Sequence, residues 1–144
     1  MNQAVKKWYL VYTKPRQEQV ARTNLERQHY GVYLPLAQEH KRRRGKPADV
    51  TAPLFPRYLF IHLDSQTDNW GPIRSTLGVV SLVRFAYQPA QVPDNLIEAL
   101  KEREGPEGIV LVAREVFQRG TRIRINDGKF AGYEGIFFAR SGHD

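Results

Sequence analysis

Cysteine is absent from the 144 residues. That excludes a disulfide framework and any thiolate metal site, and it agrees with a reducing compartment. Long apolar runs are missing too. Met1-Asn2-Gln3-Ala4-Val5-Lys6-Lys7 passes straight into a short alternating segment, so neither a signal peptide nor a membrane span is expected. A soluble cytoplasmic protein is the resulting expectation. Catalytic signatures are also scarce. His29, His40, His62 and His143 stand far apart, with no paired metal-ligand spacing. Gly128-Lys129 lacks the preceding glycines of a phosphate-cradling loop, and no Gly-x-Ser-x-Gly elbow occurs. These absences argue against an enzyme and imply no cofactor and no metal.

Acidic residues are short in one region only. Residues 1–57 hold 12 Lys or Arg against 4 Asp or Glu, a net +8. Residues 58–144 hold 10 against 11, a net −1. Basicity concentrated in the first part suits a polyanion such as nucleic acid. No basic amphipathic helix with a strong apolar face accompanies it, which disfavours a membrane partner.

The most patterned stretch runs from Pro53 to Leu63. Alternation sorts it onto two strand faces: Leu59, Ile61 and Leu63 on one, Tyr58, Phe60 and His62 on the other, with Phe55 just before it. A strand apolar on both faces belongs in the centre of a covered sheet, or else presents a partner surface. Lys7 to Thr13 reads as another strand, with Trp8, Leu10 and Tyr12 on one face. Pro15 suits a helix first turn, and a helix from Gln17 to about His29 follows, with Val20, Ala21 and Leu25 as its stripe and Gly31 as its cap. Its remaining surface is rich in Arg, Asn and Gln, either solvated or contacting phosphates and bases.

Val32 to Ala37 starts a second strand, leading into a β-hairpin whose tip carries His40-Lys41-Arg42-Arg43-Arg44-Gly45-Lys46. Mutual repulsion among three consecutive arginines favours a polyanionic partner. A short helix follows Pro72, a strand spans Val79 to Phe85, and a helix with Leu96, Ile97 and Leu100 as its stripe runs from Asn95 to Glu104. Element order predicts an α+β fold, an antiparallel sheet flanked by helices. Gly105-Pro106-Glu107-Gly108 opens a linker. The boundaries drawn are a first domain over 1–104, a linker over 105–118 and a second, incomplete barrel segment over 119–144. Two short strands there bury little, so loose packing is expected from about residue 105.

These residues carry a resemblance. Trp8-Tyr9-Leu10-Val11-Tyr12, the polar helix, Pro53-Leu54-Phe55-Pro56-Arg57-Tyr58-Leu59-Phe60, and Trp70 with Ile73-Arg74-Ser75-Thr76-x-Gly78-Val79 resemble the N-terminal domain of NusG-like transcription elongation factors. Arg42-Arg43-Arg44-Gly45-Lys46, Leu82-Val83-Arg84-Phe85 and Pro89-Ala90-x-Val92-Pro93 are similar to its RfaH subfamily. Gly128-x-Phe130-x-Gly132-x-x-Gly135 looks like the start of a KOW motif.

The resemblance implies a monomeric, non-catalytic factor riding on bacterial RNA polymerase. An aromatic-lined cavity, here Tyr12, Phe55, Tyr58, Phe60, Phe85, Ile97 and Leu100, would take the clamp helices of the largest subunit. Lys14, Arg16, Gln17, Arg27, Gln28, Arg74 and Thr76 would touch the non-template DNA strand, with Arg42, Arg43 and Arg44 on the basic hairpin. The implied role is recruitment at a DNA pause element, then suppression of pausing and termination. A complete C-terminal domain would recruit the ribosome. The chain stops partway through that domain, as a fragment or a natural truncation, which would leave the Tyr58–Phe60 face exposed. Pro15-Arg16, Asn24, Ala52 and Asn69-Trp70-Gly71 stand where RfaH proteins carry other residues. The other readings are a general NusG-type factor and an RNA- or ribosome-binding module.

Overall fold

The structure is a computed structural model and describes residues 6–64 and 66–110, leaving aside the side chains of Glu39, His40, Lys41 and Arg43. The chain divides into two compact units. One comprises residues 1–34 and 57–97, the other residues 35–56 and 98–144.

The first unit is built on a five-stranded antiparallel sheet. Strand β1 (Lys6–Thr13) pairs with β5 (Tyr58–Asp64) from Lys6 opposite Asp64 to Tyr12 opposite Tyr58. Strand β2 (Gly31–Tyr33) lies outside β5, while β6 (Val79–Leu82) and β9 (Gln91–Val92) pair with the other edge of β1. This is the expected antiparallel α+β architecture, with β1 and β5 central.

Register decides what each face carries. Tyr9, Val11, Leu59, Ile61 and Leu63 share one face and are all buried. Trp70 packs edge-on against Tyr9 there, with ring centroids 4.7 Å apart. Helix α1 (Glu18–Glu26) buries Ala21 and Leu25, and a single 3₁₀ turn, Ile73–Ser75, buries Ile73. The other face carries Trp8, Leu10, Tyr12, Tyr58, Phe60 and His62, joined by Tyr33 opposite Phe60. Leu10 and Phe60, at its middle, are 1% and 0% exposed. The strand is thus apolar and buried on both sides, as a central strand should be. The expectation of an exposed Tyr58–Phe60 face is corrected at Phe60: it stacks with Tyr33 and is fully enclosed.

Helix α1 departs from expectation at both ends. It starts at Glu18, because Lys14 to Gln17 form a turn with Arg16 at φ 60°. It closes at Glu26 rather than near His29. Tyr30 N–H donates to Leu25 O and His29 N–H to Glu26 O, with His29 left-handed at φ 71°. That is a Schellman closure with His29 in the position expected of glycine, and Gly31 instead opens β2. The buried stripe is Glu18, Ala21 and Leu25; Val20 is 37% exposed.

In the second unit, β3 (Leu36–Arg43) and β4 (Lys46–Pro53) form an eight-pair antiparallel hairpin. The strand expected to begin at Val32 is broken at Leu34-Pro35, so β2 and β3 belong to different sheets. Leu36 also forms a parallel bridge with Ile109, and Val110 N–H donates to Leu36 O, so residues 109 and 110 are tied down rather than loose.

The strand expected over Val79–Phe85 is likewise divided. Val83 N–H donates to Leu10 O, and a separate hairpin of β7 (Arg84–Phe85) and β8 (Gln88–Pro89) follows. Helix α2 runs Asp94–Glu102. The rest of the expected linker, and the incomplete barrel over 119–144 with its KOW-like glycines, lie outside the described residues.

Candidate functional site

Two surfaces of the first unit carry the chemistry. The first is cationic and is assembled from two turns. Lys14 N–H donates to Gly78 O at 2.9 Å, joining the turn after β1 to the turn before β6. Gln17 N–H returns to Lys14 O, and Ala21 N–H to Gln17 O, so the same turn leads into α1. Gly78 permits this approach: its φ is +91°, and a Cβ there would lie 2.8 Å from Ala21 N. At the far end of α1, Gln28 Nε2 donates to Thr76 Oγ1 at 2.8 Å, and Thr76 Oγ1 donates to Pro72 O at 2.9 Å.

The structure therefore brings Lys14, Arg16 and Gln17 to one end of α1, and Arg27, Gln28, Thr76 and Arg74 to the other. Lys14, Arg16, Arg27, Gln28 and Arg74 are exposed, Gln17 is half-buried and Thr76 is buried. Among the described residues, the ion pair at this helix is Arg22 Nε with Glu26 Oε1 at 3.9 Å, an exposed contact of little energetic weight. Among the described residues, the cations of the two turns carry no such pairing. Exposed, unneutralised cations interleaved with amide and hydroxyl groups suit phosphate contact plus polar contact to bases. Arg42 and Arg44 are exposed in the second unit; Arg43 pairs in register with Lys46.

The second surface is the aromatic row. Trp8 stacks on His62 at 4.4 Å, Tyr33 on Phe60 at 6.3 Å, and Tyr12 lies 5.4 Å from Tyr58. Tyr12 and Tyr58 are half-buried at its end. Burial first, and the neighbouring Tyr12 second, push the Tyr58 phenol above its usual value, against the pull of Arg57. Among the remaining expected contact residues, Ile97 is buried and Phe85, on the β7–β8 hairpin, is 47% exposed. Phe55 and Leu100 belong to the second unit, and both are buried.

Two residues outside the expected set hold these surfaces in place. Arg57, at φ 73°, donates its N–H to Glu18 Oε2 at 2.9 Å and its Nε–H to Thr13 O at 3.0 Å. Its guanidinium sits 4.2 Å from the Tyr12 ring centroid, a cation–π contact. Glu18 is 6% exposed. The available signal was its place three and seven residues before Ala21 and Leu25, on the buried stripe. No group of three or more His, Asp or Glu among the described residues could hold a metal ion. No helix among them is long and apolar enough to cross a membrane.

A family model described as "Transcription termination factor nusG" matches residues 6–101. The chain belongs to the NusG family. The transcription termination/antitermination protein NusG of Thermus thermophilus is 29% identical over 150 residues, spanning 89% of this chain and 79% of its own length. That of Staphylococcus carnosus is 29% identical over 143 residues, spanning 90% and 77%. A solved structure titled "Domain interaction in Thermotoga maritima NusG" shares 25% identity, with a TM-score of 0.47. It covers 63% of this chain, which spans about half, 52%, of that one. As a NusG-family member the chain is a transcription factor rather than an enzyme.

Proposed function

We propose that this protein is an RfaH-like elongation and antitermination factor of the cytoplasm. In this reading it binds bacterial RNA polymerase through the aromatic row and the exposed non-template DNA strand through the cationic turns. The observation that supports the reading is that a cationic surface and an aromatic row lie on one unit and are tied together by Arg57. A factor with that layout can hold two components of a transcribing complex at a fixed separation. Preference for one polymerase conformation then suppresses pausing without any chemical step. Tyr12, Tyr58 and the exposed Phe85 are the proposed polymerase contacts in the first unit, with Phe60 supporting the row; Ile97, Phe55 and Leu100, expected from the resemblance, are buried. Lys14, Arg16, Arg27 and Arg74 supply salt-dependent affinity for phosphates, and Gln17 and Gln28 supply polar contact to bases, with buried Thr76 holding Gln28 in place.

Binding to a stalled elongation complex, with the non-template strand accessible or annealed, tests this. Tyr12→Ala with Tyr58→Ala weakens binding in both complexes; unchanged binding removes the aromatic row from the polymerase contact. Arg16→Ala with Arg27→Ala lowers the salt slope of binding by about 2 when the strand is accessible; an unaltered slope removes those residues from the DNA surface. The names of the curated relatives favour the second reading, a general NusG-type factor. Transcript mapping after deletion separates the two. Effects confined downstream of one DNA element support the RfaH-like role, and effects at all genes support the general one.

A further inference from the structure

We infer that the β3–β4 hairpin is a groove-entering element for duplex DNA. The turn is Arg44-Gly45, with φ 54° and 78°, closed by the register pair Arg43–Lys46. Two residues at positive φ make the turn geometry whose twist matches the flanking strands, so the ribbon continues to its tip without splaying. Eight residues per strand give a ribbon about 26 Å long.

Charge is distributed to suit a groove. Arg42 and Lys46 fall on opposite faces of the ribbon, because Arg42 pairs with Pro47 and Lys46 is that residue's neighbour. Arg44 occupies the turn between them. All three are exposed. A flat polyanion would call for cations on one face. A tip with cations on both faces and at its end suits a slot walled by phosphates on two sides. The major groove of B-DNA is such a slot, about 12 Å wide and 8.5 Å deep, and it admits a two-stranded ribbon. The A-form major groove of duplex RNA is too narrow for one.

Composition disfavours a single-strand role for this element. From Leu36 to Pro53 there is no Phe, Tyr or Trp, so His40 is its one aromatic ring for base stacking. The ribbon base is different again: Ala37, Ala48, Val50 and Ala52 share its less exposed face, while Gln38, Thr51 and Asp49 are exposed. The basic end alone is therefore the binding part. Affinity there comes from phosphates and carries no sequence preference.

The test uses the full chain and fluorescence anisotropy. The probes are a duplex DNA of about 20 base pairs, one of its strands alone, and a duplex RNA of the same length, between about 50 and 200 mM salt. Replacing Arg42, Arg44 and Lys46 together by alanine weakens duplex DNA binding by about tenfold or more and lowers its salt slope by about 2 to 3. Single-strand binding by the same variant stays within about twofold, since that surface lies on α1 and the 3₁₀ turn. An unchanged duplex affinity, an equal loss on the single strand, or tighter binding to duplex RNA than to duplex DNA overturns the proposal. Thermal melting of the variant guards against a folding defect. A second variant, Arg42→Lys with Arg44→Lys, keeps the charge and retains the salt slope. The proposal needs no polymerase, so its failure is distinguishable from failure of the elongation-complex assay.

Discussion

Replacing Gly78 by alanine tests the join between the two turns of the cationic surface. The residue sits at φ +91°, and an added Cβ would lie 2.8 Å from Ala21 N, 3.1 Å from Ala21 Cα and 3.1 Å from Gln17 O. Every one of these neighbours is backbone, so no side chain can rotate away. Two costs arise. Holding alanine in the left-handed region costs roughly 1–3 kcal/mol. Forcing the turn off the helix, with partial loss of the Lys14 N–H to Gly78 O bond, costs roughly a further 1–3 kcal/mol. The sum, about 2–6 kcal/mol, is a large share of a typical domain stability of about 5–15 kcal/mol. Urea denaturation followed by circular dichroism should show the midpoint fall, and thermal melting a decrease of at least about 8 °C. Non-template strand binding should weaken in the fraction still folded, because Lys14 and Arg16 ride on the displaced turn. A stability change below about 0.5 kcal/mol would refute the close approach of this turn to α1.

Three further outcomes follow from the same geometry. Phe60→Ala should cost about 3–5 kcal/mol in denaturant titration, as expected for truncating a fully buried ring, whereas Tyr58→Ala at the half-buried rim should cost markedly less; the polymerase contact is therefore better probed at Tyr58. Glu18→Ala leaves the Arg57 N–H without its carboxylate acceptor and should cost about 1–3 kcal/mol, with Glu18→Gln retaining most of the stability because it keeps an acceptor. Asp64 is held below its ordinary value of 3.8, chiefly by the Gln66 N–H donated to Oδ1 at 2.7 Å. A carboxylate lowered on folding contributes stability that is complete above the unfolded value and is lost as pH falls through the folded one. Stability should therefore decline below about pH 4 through this group, and Asp64→Asn should flatten that part of the profile measured by thermal melts.

The sheet was legible because β1 and β5 are short runs of aromatic and aliphatic residues, and their register places Trp8, Leu10 and Tyr12 on the face read from sequence. The hairpin was legible from Gly45 between its two arms. The boundaries of α1 were not. Arg16 and His29 both take left-handed backbone that sequence reading assigns to glycine, and the Schellman bonds at His29 satisfy carbonyls before Gly31 is reached. Glu18 was missed because a carboxylate on the buried stripe becomes tolerable only once the Arg57 N–H arrives from 39 residues away. The Gln28–Thr76 contact likewise spans 48 residues. Local pattern indicates which residues can bind; long-range hydrogen bonds decide which of them meet.

Arg57 ties the cationic turn to the aromatic row within the first unit. Thr13 and Glu18 flank the Lys14–Gln17 turn on the cationic side, and Arg57 holds both, one through its side-chain Nε and the other through its backbone N–H. The same guanidinium lies against Tyr12 on the aromatic side. Thr13 N–H in turn donates to Arg57 O at 2.8 Å. Two of these bonds use main-chain carbonyls and one a buried carboxylate, acceptors with little freedom to move. The start of the cationic surface and the end of the aromatic row are therefore positioned by one residue inside the first unit. A left-handed arginine is costly backbone, roughly 1–3 kcal/mol, and three hydrogen bonds worth about 0.5–1.5 kcal/mol each are enough to offset it. A glycine here would relieve the backbone and lose the side-chain bond and the contact with Tyr12, which is a physical reason for arginine at this position.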